Sequence, residues 1–219
     1  MERVLEAVEF RQRSDIHWAR KLWHMTGVSL MAGLYAWLPE QWSLALIAIA
    51  WLAFVPVDFV RLRVSALNKA LLSLFRPIMR ESEIHRLAGT TYLLTGTLLV
   101  ILIFPSPIAL LTLLFLAFAD PIASYFGIRF GKDKILGEKS LQGSLAAFVV
   151  CALLTFVYLR YHAVMVDRLF VVSILAGLAG ALAELIPVGK LDDNLTLPIL
   201  SGGALWILFS LFGVFSAYV

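Results

Sequence analysis

Seven stretches of this chain, 22–38, 42–58, 91–105, 107–128, 141–159, 169–187 and 195–218, are apolar over close to the ~20 residues a helix needs to cross a bilayer. In hydrocarbon every backbone N–H and C=O must find a partner within the chain, so stretches of this kind become helices and few folds remain open. The expected class is all-α: one polytopic transmembrane domain over residues 1–219, with about seven membrane helices. Composition matters at one point. Hydrophobic residues make up 61% of the 219 and charged residues 15%, so no polar segment is long enough to build a second core.

The placement of charge gives the orientation. Sixteen of the 18 Lys and Arg lie in the N-terminus or in the connections after the second, fourth and sixth stretches; Arg160 and Arg168 alone lie on the other side. The positive-inside rule then puts the N-terminus and those connections in the cytoplasm. Topology thereby accounts for the net charge of +3, and nucleic acid is not an expected partner. Residues 1–20 set Val4, Leu5, Val8 and Phe10 among charges, without the apolar run and cleavage site of a signal peptide, and read as an interfacial amphipathic helix. The connection 59–89 reads as a second amphipathic segment on the cytoplasmic surface, broken near Pro77. Cys151 stands alone in an apolar run, with no disulfide partner or metal-ligand spacing.

Four groups of polar residues interrupt this pattern, all on the expected cytoplasmic side. Asp120 follows 13 residues after Pro107, about 20 Å along a helix, so its carboxylate falls within the hydrocarbon, where acids are costly and serve a function by default. Pro121 removes an N–H beside it, which leaves the carbonyl of Ala117 without a partner and bends the helix. Asp120, Ser124, Gly127 and Gly131 share one helical face, as do Ser140, Gly143 and Ser144 at the start of the next stretch. Lys132 and Lys139 flank that second start, whose free N–H groups and positive dipole end suit phosphate oxygens. Glu184, Asp192, Asp193 and Asn194 gather before the last stretch, and Asp120 with Asp192 and Asp193 forms an oxygen set suited to Mg²⁺. Arg20, Lys21 and His24 stand at the mouth of the first stretch.

These residues carry a resemblance. Arg20, Lys21 and His24 match an Arg-Lys-x-x-His group, and Asp120, Ala123, Gly127, Gly131 and Lys132 match a Gly-Asp-x-x-Ala-x-x-x-Gly-x-x-x-Gly-Lys run, with Ala119 in place of its first glycine. Lys139, Ser140, Gly143 and Ser144 match a Lys-Ser/Thr-x-Glu-Gly-Ser element, with Gln142 in place of the glutamate. Glu184, Asp192, Asp193, Asn194 and Pro198 match a late acid followed by Asp-Asp-Asn-x-x-x-Pro. From Arg20 to Ser201 the chain resembles the membrane family that contains dolichol kinase, phytol kinase and the CTP-dependent diacylglycerol kinase of yeast. The resemblance implies transfer of the γ-phosphoryl group of CTP, or another nucleoside triphosphate, to the hydroxyl of an isoprenoid alcohol (polyprenol, dolichol or phytol) or of diacylglycerol, with Mg²⁺ as cofactor. It implies catalytic roles for Asp120, Glu184, Asp192 and Asp193. Nucleotide or phosphate contacts are implied for Arg20, Lys21, His24, Ser124, Gly127, Gly131, Lys132, Lys139, Ser140, Gly143, Ser144 and Asn194. Which acid is base and which is metal ligand stays open, as do the lipid and the oligomeric state. A related element, with the acidic and Lys-x-x-Glu-Gly groups, is also similar to that of CTP:phosphatidate cytidylyltransferases, and broken helices around an anion site also occur in transporters. Those are the two alternatives.

Overall fold

The computed structural model describes residues 17–189 and 191–215. The amphipathic helix expected over 1–20 lies largely outside the described residues, as does Lys190. In chain order the helices are α1 (Trp18–Trp37), α2 (Glu40–Arg61), α3 (Ser65–Phe75), α4 (Gly89–Ile103), α5 (Ser106–Phe130), α6 (Leu141–Tyr161), α7 (Leu169–Leu185) and α8 (Asp193–Leu211). Among the described residues five helices are long and apolar enough to cross a membrane: α2, α5, α6, α7 with its leading turn, and α8. The protein is an all-α integral membrane protein. Of the other two expected spans, α4 is apolar but has 15 residues, and α1 has 20 but opens on Arg20 and Lys21.

Burial orders the bundle. In α5, 61% of the apolar window is buried, against 22% in α2 and in α6, so α5 is the axis and the other two face outward. Phe115, Leu116, Ile108, Leu111 and Leu113 of α5 meet Leu205 and Phe209 of α8 in the core. Outward positions such as Leu52 and Val157 stay exposed and apolar, as contact with acyl chains requires. Small residues bring backbones together: a Cβ at Gly177 would sit 2.9 Å from the Phe148 carbonyl, and one at Gly96 would sit 2.6 Å from the carbonyl of Asn194.

α5 is not regular. Phe115–Ala119 forms a π-turn, in which the Asp120 N–H bonds the carbonyl of Phe115, five residues back. Continued by one residue, that register aims the missing N–H of Pro121 at Leu116. The orphan carbonyl therefore belongs to Leu116, one residue before the Ala117 expected from α-helical counting.

The connection between α2 and α4 is a built structure. α3 ends at Phe75, ahead of Pro77, and a short 3₁₀ turn follows at Glu81–Ile84. Both are pinned from beneath by Arg61, 2% exposed, and Asp58, 3% exposed. Arg61 donates to Asp58 (2.6 Å), to Asn68 (2.8 Å) and to the carbonyls of Glu83 (3.0 Å) and Arg86 (2.7 Å). Asp58 accepts from the Ala88 N–H (2.9 Å) and the Thr91 hydroxyl (2.5 Å). With its partners satisfied, this buried pair fixes a geometry that apolar packing would leave loose. Between α5 and α6 a small hairpin, β1 (Lys134–Leu136) with β2 (Lys139–Ser140), departs from the all-α expectation; Gly137 takes the left-handed φ of +56° at its turn.

Candidate active site

The four polar groups, far apart in sequence, open on one cavity of about 980 Å³ at a single end of the bundle. Of the sixteen candidate residues, fifteen line it: Arg20, Lys21, His24, Asp120, Ser124, Gly127, Gly131, Lys139, Ser140, Gly143, Ser144, Glu184, Asp192, Asp193 and Asn194. The exception is Lys132. The chain turns out of α5 at Gly131, so Lys132 is exposed outside the cavity with its backbone N–H on the Gln142 side chain (3.2 Å), and Lys134 lines the cavity instead.

The first turns of α1 hold the broken part of α5. His24 Nε2 lies 2.7 Å from the orphan carbonyl of Leu116, so it carries a proton there, and 3.9 Å from an Asp120 oxygen. Lys21 donates to the Pro121 carbonyl (3.1 Å) and the Ser124 hydroxyl (2.8 Å). Arg20 turns the other way, to Glu83 (2.8 Å) and the Ile78 carbonyl (2.9 Å). Glu83 also accepts from the N–H groups of Arg80 (3.0 Å) and Gly89 (2.9 Å). Burial raises the Glu83 pKa, but Arg20 and these N–H groups outweigh it and hold the carboxyl below its ordinary value.

Lys139 is the hub of the opposite wall. Its Nζ donates to Glu184 (2.5 Å) and Asp193 (2.9 Å), joining β2 to the end of α7 and the start of α8. Burial lowers its pKa, but Glu184, Asp193 and Asp120 more than offset that, and it is pushed up to about 12. Asp192 caps α8 by accepting from the Asn194 N–H (3.0 Å). Its pKa is raised, first by burial and further by Asp193, with the Asn194 N–H and Arg80 opposing.

The start of α6 is more occupied than its sequence implies. The Leu141 N–H bonds the Asp133 carbonyl (2.9 Å) and the Gly143 N–H bonds the Ser140 hydroxyl (3.2 Å), so two N–H groups of the first turn are already used. Gly127 and Gly143 serve the α5–α6 crossing: a Cβ on Gly143 would lie 2.9 Å from the Ala123 carbonyl. The Ser144 hydroxyl is buried without a partner among the described residues.

Sequence reasoning missed Asp58, Arg61, Glu83, Arg80 and Arg86, the last three of which line the cavity. The usable signals were an acid and a base three apart at the end of an apolar helix, and acids within an otherwise basic connection. The full lining carries six Lys and Arg against seven Asp and Glu. This cavity has no surplus of positive charge, and the described residues contain no group of three His, Cys, Asp or Glu able to cage a metal alone. The expected oxygen set of Asp120, Asp192 and Asp193 is therefore not drawn together as a three-acid cage; Mg²⁺ needs only one or two carboxylates when substrate phosphates and water complete its shell.

Fold and cavity define a membrane protein with a polar chamber, of mixed charge, sunk into an end of an apolar helix bundle. The chain is 32% identical to the CTP-dependent diacylglycerol kinase 1 of Schizosaccharomyces pombe over 176 residues, 74% of this chain and 81% of that protein. The proteins of the same name from Eremothecium gossypii and Saccharomyces cerevisiae are 32% and 28% identical over 66% and 69% of this chain, which there spans 52% and 59% of the relatives' length. No family model matches the chain, and no solved structure does. The chain belongs to the CTP-dependent lipid kinase family, phosphotransferases with an alcohol group as acceptor.

Proposed function

We propose that this protein transfers the γ-phosphoryl group of CTP to the hydroxyl of diacylglycerol, the lipid that its relatives' names specify. Polyprenol, dolichol and phytol are the other acceptors to test. The alcohol oxygen forms a bond to the γ-phosphorus, the bond to the β–γ bridging oxygen breaks, and CDP leaves. The hydroxyl proton passes to one carboxylate of the group Asp120, Glu184, Asp192 and Asp193. Such chemistry asks mainly for positioning and charge neutralisation. Arg20, Lys21, Lys139, Ser124, Ser140, Ser144 and Asn194 hold the triphosphate, and Gly127, Gly131 and Gly143 let the helices that carry them approach. One or two of Asp120, Asp192 and Asp193, together with the triphosphate's own oxygens and water, would hold Mg²⁺, which would supply the positive charge a tetra-anionic triphosphate needs and this lining lacks.

The reading rests above all on one observation: fifteen of sixteen candidate residues from four distant segments line the same cavity. The wider setting is a single domain over 1–219 with seven crossings, α1 and α4 included, and a cytoplasmic N-terminus. The basic stretches at the cavity end make that end cytoplasmic.

The test is phosphate transfer by purified protein in detergent with Mg²⁺, offering γ-labelled CTP or ATP with diacylglycerol, polyprenol or phytol. Label in phosphatidate from CTP is the expected result. Label released only as pyrophosphate, with α-labelled CTP entering a phospholipid, would make the protein a cytidylyltransferase. Binding without turnover, together with solute flux in sealed vesicles, would make it a transporter.

A further inference from the structure

A second, smaller cavity of about 230 Å³ lies between α1, α2, α3 and α4. Its walls are apolar, formed chiefly by Ala53, Phe54, Val57, Leu71, Phe75 and Met79. Asp58 and Arg61 also line it, but both are engaged in the network that pins α3, so they offer their charge to protein partners. At one end the character changes: Arg20, His24, Glu83 and Asn194 line this cavity and the polar chamber alike. The same four polar side chains thus border both spaces. Elsewhere the cavity is bordered by Trp23, 53% exposed, and Val57, 43% exposed, on the outward faces of two apolar helices.

We propose that this cavity is the acceptor subsite: it takes the hydrocarbon next to the reacting hydroxyl of a lipid alcohol, which enters from the bilayer between Trp23 and Val57. The inference rests on the kinase reading and deepens it. A lipid alcohol has one hydroxyl to present and a chain to keep out of water, and the junction at Arg20, His24, Glu83 and Asn194 separates those environments. At about 230 Å³ the space is smaller than the ~300–1,000 Å³ that encloses a drug-sized ligand. It therefore holds only the first part of a chain, and the remainder stays in the bilayer. The 59–89 connection becomes the roof of this subsite, held at a set height by Arg61 and Asp58.

Two measurements test this, both on the full chain in phosphatidylcholine nanodiscs. The first is photolabelling with a diacylglycerol carrying a diazirine near the start of one acyl chain. The expected adducts fall on Trp23, Phe54, Leu71 or Phe75 and are competed by diacylglycerol but not by added phosphatidylcholine. Adducts confined to other helices, or equal competition by phosphatidylcholine, would overturn the proposal and reduce the cavity to a bilayer contact. The second is kinetics of Ala53→Phe and Val57→Phe, two exposed positions where a ring can narrow the cavity without disturbing the core. Each should raise KM for diacylglycerol on the order of tenfold, about what two excluded methylenes are worth, and leave KM for CTP unchanged. Unchanged lipid KM in both variants, or equal rises in both KM values, would also overturn it. If the wild-type protein transferred no phosphate, the kinase reading would fail while photolabelling still reported on the subsite.

Discussion

Replacing Lys139 with Met removes the cation that joins three elements of the site while keeping most of the side-chain volume. The raised pKa sets the scale: from an ordinary 10.5 to about 12 is roughly 1.5 units, or about 2 kcal/mol at ~1.4 kcal/mol per unit. Lys139 is 19% exposed and Glu184 4%, so solvent offers the orphaned Glu184 little relief. The loss should fall near 2 kcal/mol, below the ~3–5 kcal/mol of a fully buried pair. For a chain of this size that is a drop in Tm of about 4–8 °C, read by thermal unfolding in detergent. Lys139→Met combined with Glu184→Gln should recover a substantial part of it, since the second change removes the uncompensated charge. The direction in pH is set as well. A lysine whose folded pKa is raised contributes stability that is fully present below about pH 10.5 and is lost as pH rises through about 12. Wild type should therefore show no Lys139-linked slope between pH 6 and 9. Strictly additive losses in the double variant, or a wild-type stability that falls between pH 8 and 10 where the Lys139→Met variant stays flat, would refute the reasoning.

Four other outcomes are expected. Asp120→Asn should keep the fold, by thermal unfolding, and lower kinase turnover at least about 100-fold; full turnover would remove Asp120 from the chemistry. Asp192 has a raised pKa, so its favourable contribution is present below about pH 3.8 and lost as pH rises through its folded value; ionised at neutral pH it burdens the fold. Asp192→Asn keeps the α8 cap, so Tm at pH 7 should rise while turnover falls, and a lower Tm would count against that account. Gly96→Ala puts a Cβ 2.6 Å from the Asn194 carbonyl, and the resulting shift of α8 should cost about 1–3 kcal/mol and raise KM for CTP, although Gly96 is outside the site. Lys132→Ala should leave KM for CTP within about twofold, because Lys132 stands outside the cavity; a tenfold rise would return it to the phosphate site.

The class of fold was legible from one-dimensional features, since helix-length apolar stretches leave a bilayer protein little choice. The polar groups were equally legible: an acid in hydrocarbon beside Pro121, and glycines and serines at helical spacing, are expensive or conspicuous wherever they occur. Tertiary structure alone decided which of these groups meet and which partner each takes. Lys139 finds Glu184 and Asp193 across 45 and 54 residues, and no local rule sets such a distance. The orphan carbonyl moved to Leu116 because a π-turn changed the bonding register, and Lys132 lies outside the cavity lining because the chain turned at Gly131. Arg61 shows the difference most plainly. In sequence it is one more basic residue at a membrane surface; in the fold it is buried, and it holds the connection whose Glu83 anchors Arg20. Periodicity and the cost of burying charge are properties of a residue and its near neighbours, so they can be read along a chain. Pairing and cavity shape depend on which helices pack together, and that is settled only when the whole bundle buries its surface at once.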